Sequence, residues 1–159
     1  GNSSIVRYFN YFPKAVQLYG NRGVAGIDGS LSTAVGAALA DPDRRHILII
    51  GDQSFLYDHN GLYGQKIPQN LVVCVLNNGV GGIFDWLPGT ASTGPTAQRV
   101  FANAQYVNLE GIASAFGVDY EAVSSVAALV AALDTAVAPK IIDSKTEQHA
   151  NLAALVALQ

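Results

Sequence analysis

Two apolar runs, each ending in a polar signal, constrain this chain most. His46-Ile47-Leu48-Ile49-Ile50 runs into Gly51-Asp52-Gln53, and Leu71 to Leu76 runs into Asn77-Asn78. Near-continuous apolar runs of this length read as strands buried on both faces of a parallel sheet. Parallel strands end at the same sheet edge, and open α/β sheets bind ligands outside that carboxyl edge. Asp52 and Asn78 are therefore an acid and an amide delivered to one edge, where they can meet on one ion. A plainer reading stays open at this point: Asp52 caps a helix and Asn77-Asn78-Gly79 is an ordinary turn.

Strands are expected near Val16–Tyr19, Ile47–Ile50, Val72–Leu76, Val118–Ala122 and Lys140–Asp143, with helical segments between them. The fold class is α/β, a mostly parallel central sheet with helices on both faces. Leu31 to Ala40 is small and apolar enough to lie flat on the sheet. Val126, Leu129, Val130, Leu133 and Val137 recur at helical spacing and read as core packing. Pro88 to Ala97, rich in Gly, Thr, Ser and Pro, reads as a mobile surface loop beside the site or as a plain linker. At 159 residues, half of them apolar, the chain is one domain (1–159) with enough apolar residues for a core. A net charge of −3 argues against nucleic acid as a partner. Cys74 stands alone inside an apolar run, so no disulfide framework exists, which fits a cytoplasmic protein. No stretch is long and apolar enough for a membrane span. His46, His59 and His149 lack partners at metal-ligand spacing.

Further motifs narrow the family. Gly51-Asp52-Gln53, with Asn77-Asn78 twenty-five residues beyond Asp52, resembles the metal signature of thiamine-diphosphate enzymes, Gly-Asp-Gly and then Asn-Asn. Gln53 departs from it by standing in place of glycine. Asn2-Ser3-Ser4-Ile5-Val6-Arg7, Asn21-Arg22-Gly23-Val24-Ala25-Gly26-Ile27-Asp28-Gly29, Leu56-Tyr57-Asp58-His59-Asn60 and the segment from Asn77 to Phe84 occur in the order seen in one branch of those enzymes. They resemble the 2-succinyl-5-enolpyruvyl-6-hydroxy-3-cyclohexene-1-carboxylate synthase family of menaquinone biosynthesis. The resemblance runs from Asn2 to about Thr146.

The resemblance implies a diphosphate-binding domain that takes thiamine diphosphate and Mg²⁺, or Mn²⁺ in its place. Its metal ligands would be Asp52, Asn78 and the carbonyl of Val80. Such a donor set suits a hard cation that keeps positions for phosphate oxygens and water. Cofactor contacts would come from Gly26, Ile27, Gly51, Asp52, Gln53, Ser54, Asn78, Gly81 and Ile83, with Ile27 as the aliphatic wedge that bends the cofactor. A helix start at Gly82-Ile83-Phe84 would point free N–H groups at the diphosphate. Ser3, Arg7 and Arg22 would bind substrate carboxylates, and Ile83 and Phe84 would form an apolar wall. Arginine suits that task through its planar fork of donors.

The implied reaction is that of a carboligating transferase: decarboxylation of 2-oxoglutarate and addition of the resulting carbanion to isochorismate. The glutamate that activates the cofactor would lie on a pyrimidine-binding domain of a second subunit in a homodimer or homotetramer. The chain is thus expected to be the carboxyl-terminal fragment of a longer enzyme and inactive alone, with no catalytic residue of its own. Two alternatives remain: another thiamine-diphosphate carboligase or decarboxylase resembling acetolactate synthase, which would not need Arg7 and Arg22 together, and a non-catalytic α/β assembly module.

Overall fold

The computed structural model describes residues 16–21, 26–64, 67–85, 87–103, 105–147, 150 and 153. Among the described residues, four strands, β1 (His46–Gly51), β2 (Leu71–Asn77), β3 (Asp119–Val123) and β4 (Lys140–Lys145), form one sheet in the order β1-β2-β4-β3. All three pairings are parallel. His46 faces Leu71 and Gly51 faces Leu76, while Asn77 faces Lys145 on the other side of β2. The residues that follow β1 and β2 therefore leave the sheet side by side at its carboxyl edge.

Among the described residues, the strands are accompanied by the helices α1 (Ser30–Ala40), α2 (Asp52–Asp58), α3 (Pro88–Ala91), α4 (Pro95–Ala102), α5 (Leu109–Ala115) and α6 (Val126–Thr135). Single 3-10 turns occupy His59–Leu62 and Gly82–Asp85. Strand side chains alternate between faces, and the core divides accordingly. On one face Leu31, Val35 and Ala38 of α1, Phe55 of α2 and Leu109 and Ala113 of α5 pack with Val73, Val75 and Ile141. On the other face α6 packs Leu129, Ala132 and Leu133 with Val72, Val123 and Ile142. Helices thus cover both faces, as expected for the α/β class. The thiol of Cys74, buried within β2, is pushed up to about 11 by desolvation and stays protonated.

Four expectations are corrected. The apolar run of β1 is not buried on both faces: Ile47 and Ile49 are exposed, because α6 packs on Val72, Val123 and Ile142 of the other three strands. Val16–Tyr19 forms no strand: Val16, Leu18 and Tyr19 are exposed and no ladder pairs them. An apolar run becomes a strand only where a neighbour takes its N–H and C=O groups, and among the described residues β1 has β2 as its sole partner. Pro88–Ala97 is not a mobile loop or plain linker but carries α3 and the start of α4, each with proline in its first turn, where a missing N–H costs nothing. Val126, Val130 and Val137 are exposed rather than core, because α6 presents Leu129, Leu133 and its alanines to the sheet and ends at Thr135, before Val137. Small residues on that face let the helix axis lie close. Among the described residues, no helix is long and apolar enough to cross a membrane.

Candidate functional site

Asp52 is the first residue of α2, immediately beyond β1, and is 5% exposed. Burial raises its carboxyl above the ordinary value of 3.8, opposed by hydrogen bonding from the backbone and side chain of Gln53 and from the backbone N–H groups of Gly79 and Asp52 itself. The Gly79 contribution is the informative one, since it brings the turn after β2 against the carboxylate at the end of β1. The helix-capping reading is corrected, since the N-cap is Gly51 and no side chain caps the helix; the Asp52 carboxylate lies inside the first turn, against the N–H groups of Asp52, Gln53 and, from the Asn77–Val80 turn, Gly79.

That turn is built by two consecutive asparagines. Asn77 Oδ1 accepts from the Gly79 N–H at 3.2 Å, and Asn78 Oδ1 accepts from the Val80 N–H at 3.2 Å. Both are side-chain mimics of a backbone turn. Gly79 sits at φ 70°, which favours glycine, and a Cβ there would lie 2.7 Å from the Tyr106 ring. The turn is braced from outside by Gln105 N–H donating to the Gly79 carbonyl (2.9 Å) and Gly81 N–H donating to the Ala102 carbonyl (2.6 Å).

The donor set fits a hard divalent cation. Asp52 offers carboxylate oxygens, Asn78 an amide oxygen and Val80 a carbonyl that accepts from the Gly82 N–H at 3.0 Å. Each of the last two accepts one hydrogen bond and keeps a second lone pair. Asp52, desolvated and without a basic partner among the described residues, is an acid whose charge a cation would offset. No group of three or more His, Cys, Asp or Glu side chains gathers for a metal among the described residues, so a site here relies on neutral oxygens as well.

Gly51, Gln53 and Ser54 accompany Asp52 at the edge. Gln53 Nε2 donates to Asp52 Oδ2 at 3.5 Å, and its Oε1 accepts from Asn103 Nδ2 at 3.0 Å. The glutamine that departs from the family pattern therefore links Asp52 to the residue after α4. Gly26 and Ile27 precede α1, and Ile27 and Ile83 are apolar yet 45% and 44% exposed. Phe84 stacks obliquely on Phe101, with ring centroids 5.8 Å apart. Gly82–Asp85 corrects the expected helix start: it is one 3-10 turn, and the N–H groups of Gly81, Gly82 and Phe84 are already taken by the carbonyls of Ala102, Val80 and Gly81. They are not free for an anion. Ser3, Arg7 and Arg22 lie outside the described residues.

Several contributors escaped the sequence reading. Asn103 and Tyr106 carry no local signal and reach the site only through the packing of the segment after α4. Asp143 did carry one, an acid inside the apolar run Ile141-Ile142-Asp143, since a buried charge requires partners. A separate pocket of about 300 Å³, lined by Leu39, Pro42, Ile67, Pro68 and Asn70, lies among residues that precede β1 and β2, away from the carboxyl edge.

Residues 1–145 match the family described as thiamine pyrophosphate enzyme, C-terminal TPP binding domain. Among curated proteins, the chain is 41% identical over 127 residues to 2-succinyl-5-enolpyruvyl-6-hydroxy-3-cyclohexene-1-carboxylate synthase of Christiangramia forsetii, covering 79% of this chain and 22% of that protein. The synthase of the same name from Bacteroides thetaiotaomicron is 38% identical over 144 residues, covering 89% and 26%. Among solved structures, a thiamine diphosphate-dependent 4-hydroxybenzoylformate decarboxylase of Rhodococcus jostii superposes with a TM-score of 0.61 at 30% identity, covering 74% of this chain and 23% of that one. The chain spans about a quarter of the length of the curated relatives it matches.

Proposed function

This chain belongs to the thiamine pyrophosphate enzymes, as their C-terminal cofactor-binding domain, and from that premise we propose that it serves a 2-succinyl-5-enolpyruvyl-6-hydroxy-3-cyclohexene-1-carboxylate synthase. The reaction is decarboxylation of 2-oxoglutarate and transfer of the remaining fragment to isochorismate, in menaquinone biosynthesis. The observation that carries the reading is the convergence of Asp52 with the Asn77–Val80 turn at one sheet edge. Identities near 40% to synthases of that name support the choice of reaction over other members of the family.

In this reading Asp52, the Asn78 amide oxygen and the Val80 carbonyl hold Mg²⁺, and the cation carries the diphosphate. Mn²⁺ offers the same preference for oxygen ligands. Thiamine diphosphate, once bound, supplies a nucleophilic carbon and an electron sink for removing carbon dioxide from a 2-oxo acid. The rest is the work of side chains. Ile27 and Ile83, apolar and half-exposed, present surface for the cofactor's rings, while Gly26, Gly51, Gln53, Ser54 and Gly81 frame the approach. Phe84, held by its contact with Phe101, gives the apolar wall that excludes water. Ser3, Arg7 and Arg22 bind substrate carboxylates. A pyrimidine-binding domain of a second subunit in a homo-oligomer completes the site, and this domain alone does not turn over.

The test is carbon dioxide release from 2-oxoglutarate by the complete enzyme with thiamine diphosphate and Mg²⁺, with and without isochorismate, and with pyruvate as control. Product formed from 2-oxoglutarate only when isochorismate is present is the expected result. Turnover of pyruvate alone would move the chain to another carboligase of the family. No Mg²⁺-dependent cofactor binding at all would leave only an assembly module.

A further inference from the structure

Behind the Asn77–Val80 turn lies a buried carboxylate that the proposed reaction does not use. Asp143, in the middle of β4, is 2% exposed and stands opposite Val75 of β2 and Ala122 of β3. Its Oδ1 accepts from Asn77 Nδ2 at 3.0 Å, and its Oδ2 accepts from the Tyr120 hydroxyl at 2.8 Å. A carboxylate buried to this degree is costly unless its oxygens are satisfied, and each of these has a donor. Tyr120 stays protonated to serve: desolvation and then the Asp143 carboxylate itself push its pKa far up.

Asn77, 4% exposed, is the link. Its amide nitrogen faces an acceptor, Asp143, and its amide oxygen faces a donor, the Gly79 N–H. An ionised carboxylate can only accept and a backbone N–H can only donate, so the orientation of the amide is determined from both ends. A second tie runs in parallel, from the Thr146 N–H to the Asn77 carbonyl at 2.8 Å. The end of β4 thus grips the residue from which the candidate metal turn departs, by side chain and by main chain.

We propose that Asp143 is a positioning residue for the metal site: through Asn77 it holds the Asn78–Val80 turn in the geometry that aims the Asn78 amide and the Val80 carbonyl at one cation. The inference rests on the reading of that edge as the Mg²⁺ and diphosphate site. Partners of this outer kind commonly change metal affinity tenfold to a hundredfold when removed.

The experiment titrates Mg²⁺ into the complete enzyme at saturating thiamine diphosphate, following binding by calorimetry and, separately, activity. Asp143→Asn keeps the shape but leaves one neutral amide oxygen in place of two charged ones, so the bond that holds Asn77 loses its charge assistance, and Asn77 and the Tyr120 hydroxyl can no longer each donate to an oxygen of their own. The expected result is an apparent Kd for Mg²⁺ raised about tenfold, with kcat restored at saturating Mg²⁺, a split that general loss of structure would not give. Asn77→Ala should weaken Mg²⁺ at least as much, and adding Asp143→Asn to it should cost nothing further, because the path is already cut. Tyr120→Phe, which frees one Asp143 oxygen without removing charge, gives a smaller rise in Kd and serves if Asp143→Asn does not fold. An unchanged Mg²⁺ Kd in Asp143→Asn, or in Tyr120→Phe where Asp143→Asn does not fold, overturns the proposal, as do additive losses in the double variant. Absence of Mg²⁺-dependent cofactor binding in the unsubstituted enzyme would instead remove the underlying reading of the site.

Discussion

Asp58 ties the end of α2 to the start of α1, and cutting that tie has a cost that can be worked from the structure. The carboxylate is buried at the last position of α2, with Oδ2 accepting from the Ser32 N–H at 2.7 Å and Oδ1 accepting from the Ser32 hydroxyl at 2.6 Å. Ser32 lies in the first turn of α1, whose N-cap is Gly29 and supplies no side-chain cap. Asp58 therefore satisfies, from another element, one of the N–H groups that a helix start leaves unpaired. The contact is tight: a Cβ on Gly61 would stand 2.6 Å from the Ser32 hydroxyl.

Hydrogen bonds to a charged acceptor contribute roughly 1.5–3 kcal/mol each, and burial of the carboxylate offsets part of that, so Asp58→Ala should cost about 3 kcal/mol. With a urea m-value of about 2 kcal/mol/M, the midpoint falls by about 1.5 M. Ser32→Ala removes only the hydroxyl bond and should cost about 1.5 kcal/mol, with a coupling of similar size to Asp58→Ala in a double-mutant cycle. Asp58→Asn should fall between, since its amide oxygen can accept from the Ser32 N–H and its nitrogen can donate to the Ser32 hydroxyl, both without the charge. Urea unfolding followed by circular dichroism at neutral pH measures all four. A midpoint shift below about 0.3 M for Asp58→Ala, or an equal cost for Ser32→Ala, would refute the capping argument.

Asp52→Asn should stabilise the cation-free protein at neutral pH. Burial raises the carboxyl's pKa, so the protonated form favours folding fully below the ordinary value of 3.8, and that contribution is lost as pH rises through the raised folded value. The advantage of the variant should therefore shrink as pH falls toward 3.8, while its gain in melting temperature on adding Mg²⁺ and thiamine diphosphate disappears. Thermal unfolding across pH checks both, and a variant less stable than the parent at pH 7 without cation would contradict the sign. Gly79→Ala should destabilise by about 1–2 kcal/mol from its positive φ, with little recovered in a Tyr106→Ala background, because the exposed Tyr106 ring can turn aside whereas the backbone cannot. Urea unfolding of the three variants decides it, and full recovery in that background would make the ring contact the cause.

Strand ends were legible in the sequence because their signal is local. Apolar runs at 46–50 and 71–76 and the polar residues that stop them placed Asp52 and Asn78 at the carboxyl edge, and the structure brings the turn after β2 against Asp52. The small apolar residues of Leu31 to Ala40 marked α1 as a helix against the sheet, whereas the periodicity of 126–137 put Val126, Val130 and Val137 in the core, where they are not. Val16–Tyr19 marks the limit: the run has strand composition, but pairing is a property of two segments, and nothing in one segment states whether its partner is there.

What the tertiary structure alone decided is which distant residues share a contact. Asn77 meets Asp143 across β2 and β4, Gln53 meets Asn103, Ser32 meets Asp58, and Gly81 meets Ala102. Each depends on the strand order β1-β2-β4-β3 and on how the helices settle on it. Hydrophobic periodicity specifies a face, with an energy spread over many interchangeable apolar contacts. A hydrogen-bonded pair needs one donor and one acceptor within about 3 Å, a condition met only after the backbone of both elements is in place. The sequence therefore determined the layers and the edge to which Asp52 and the Asn77–Val80 turn are delivered, whereas the bracing of Asp52 and of that turn was settled by packing.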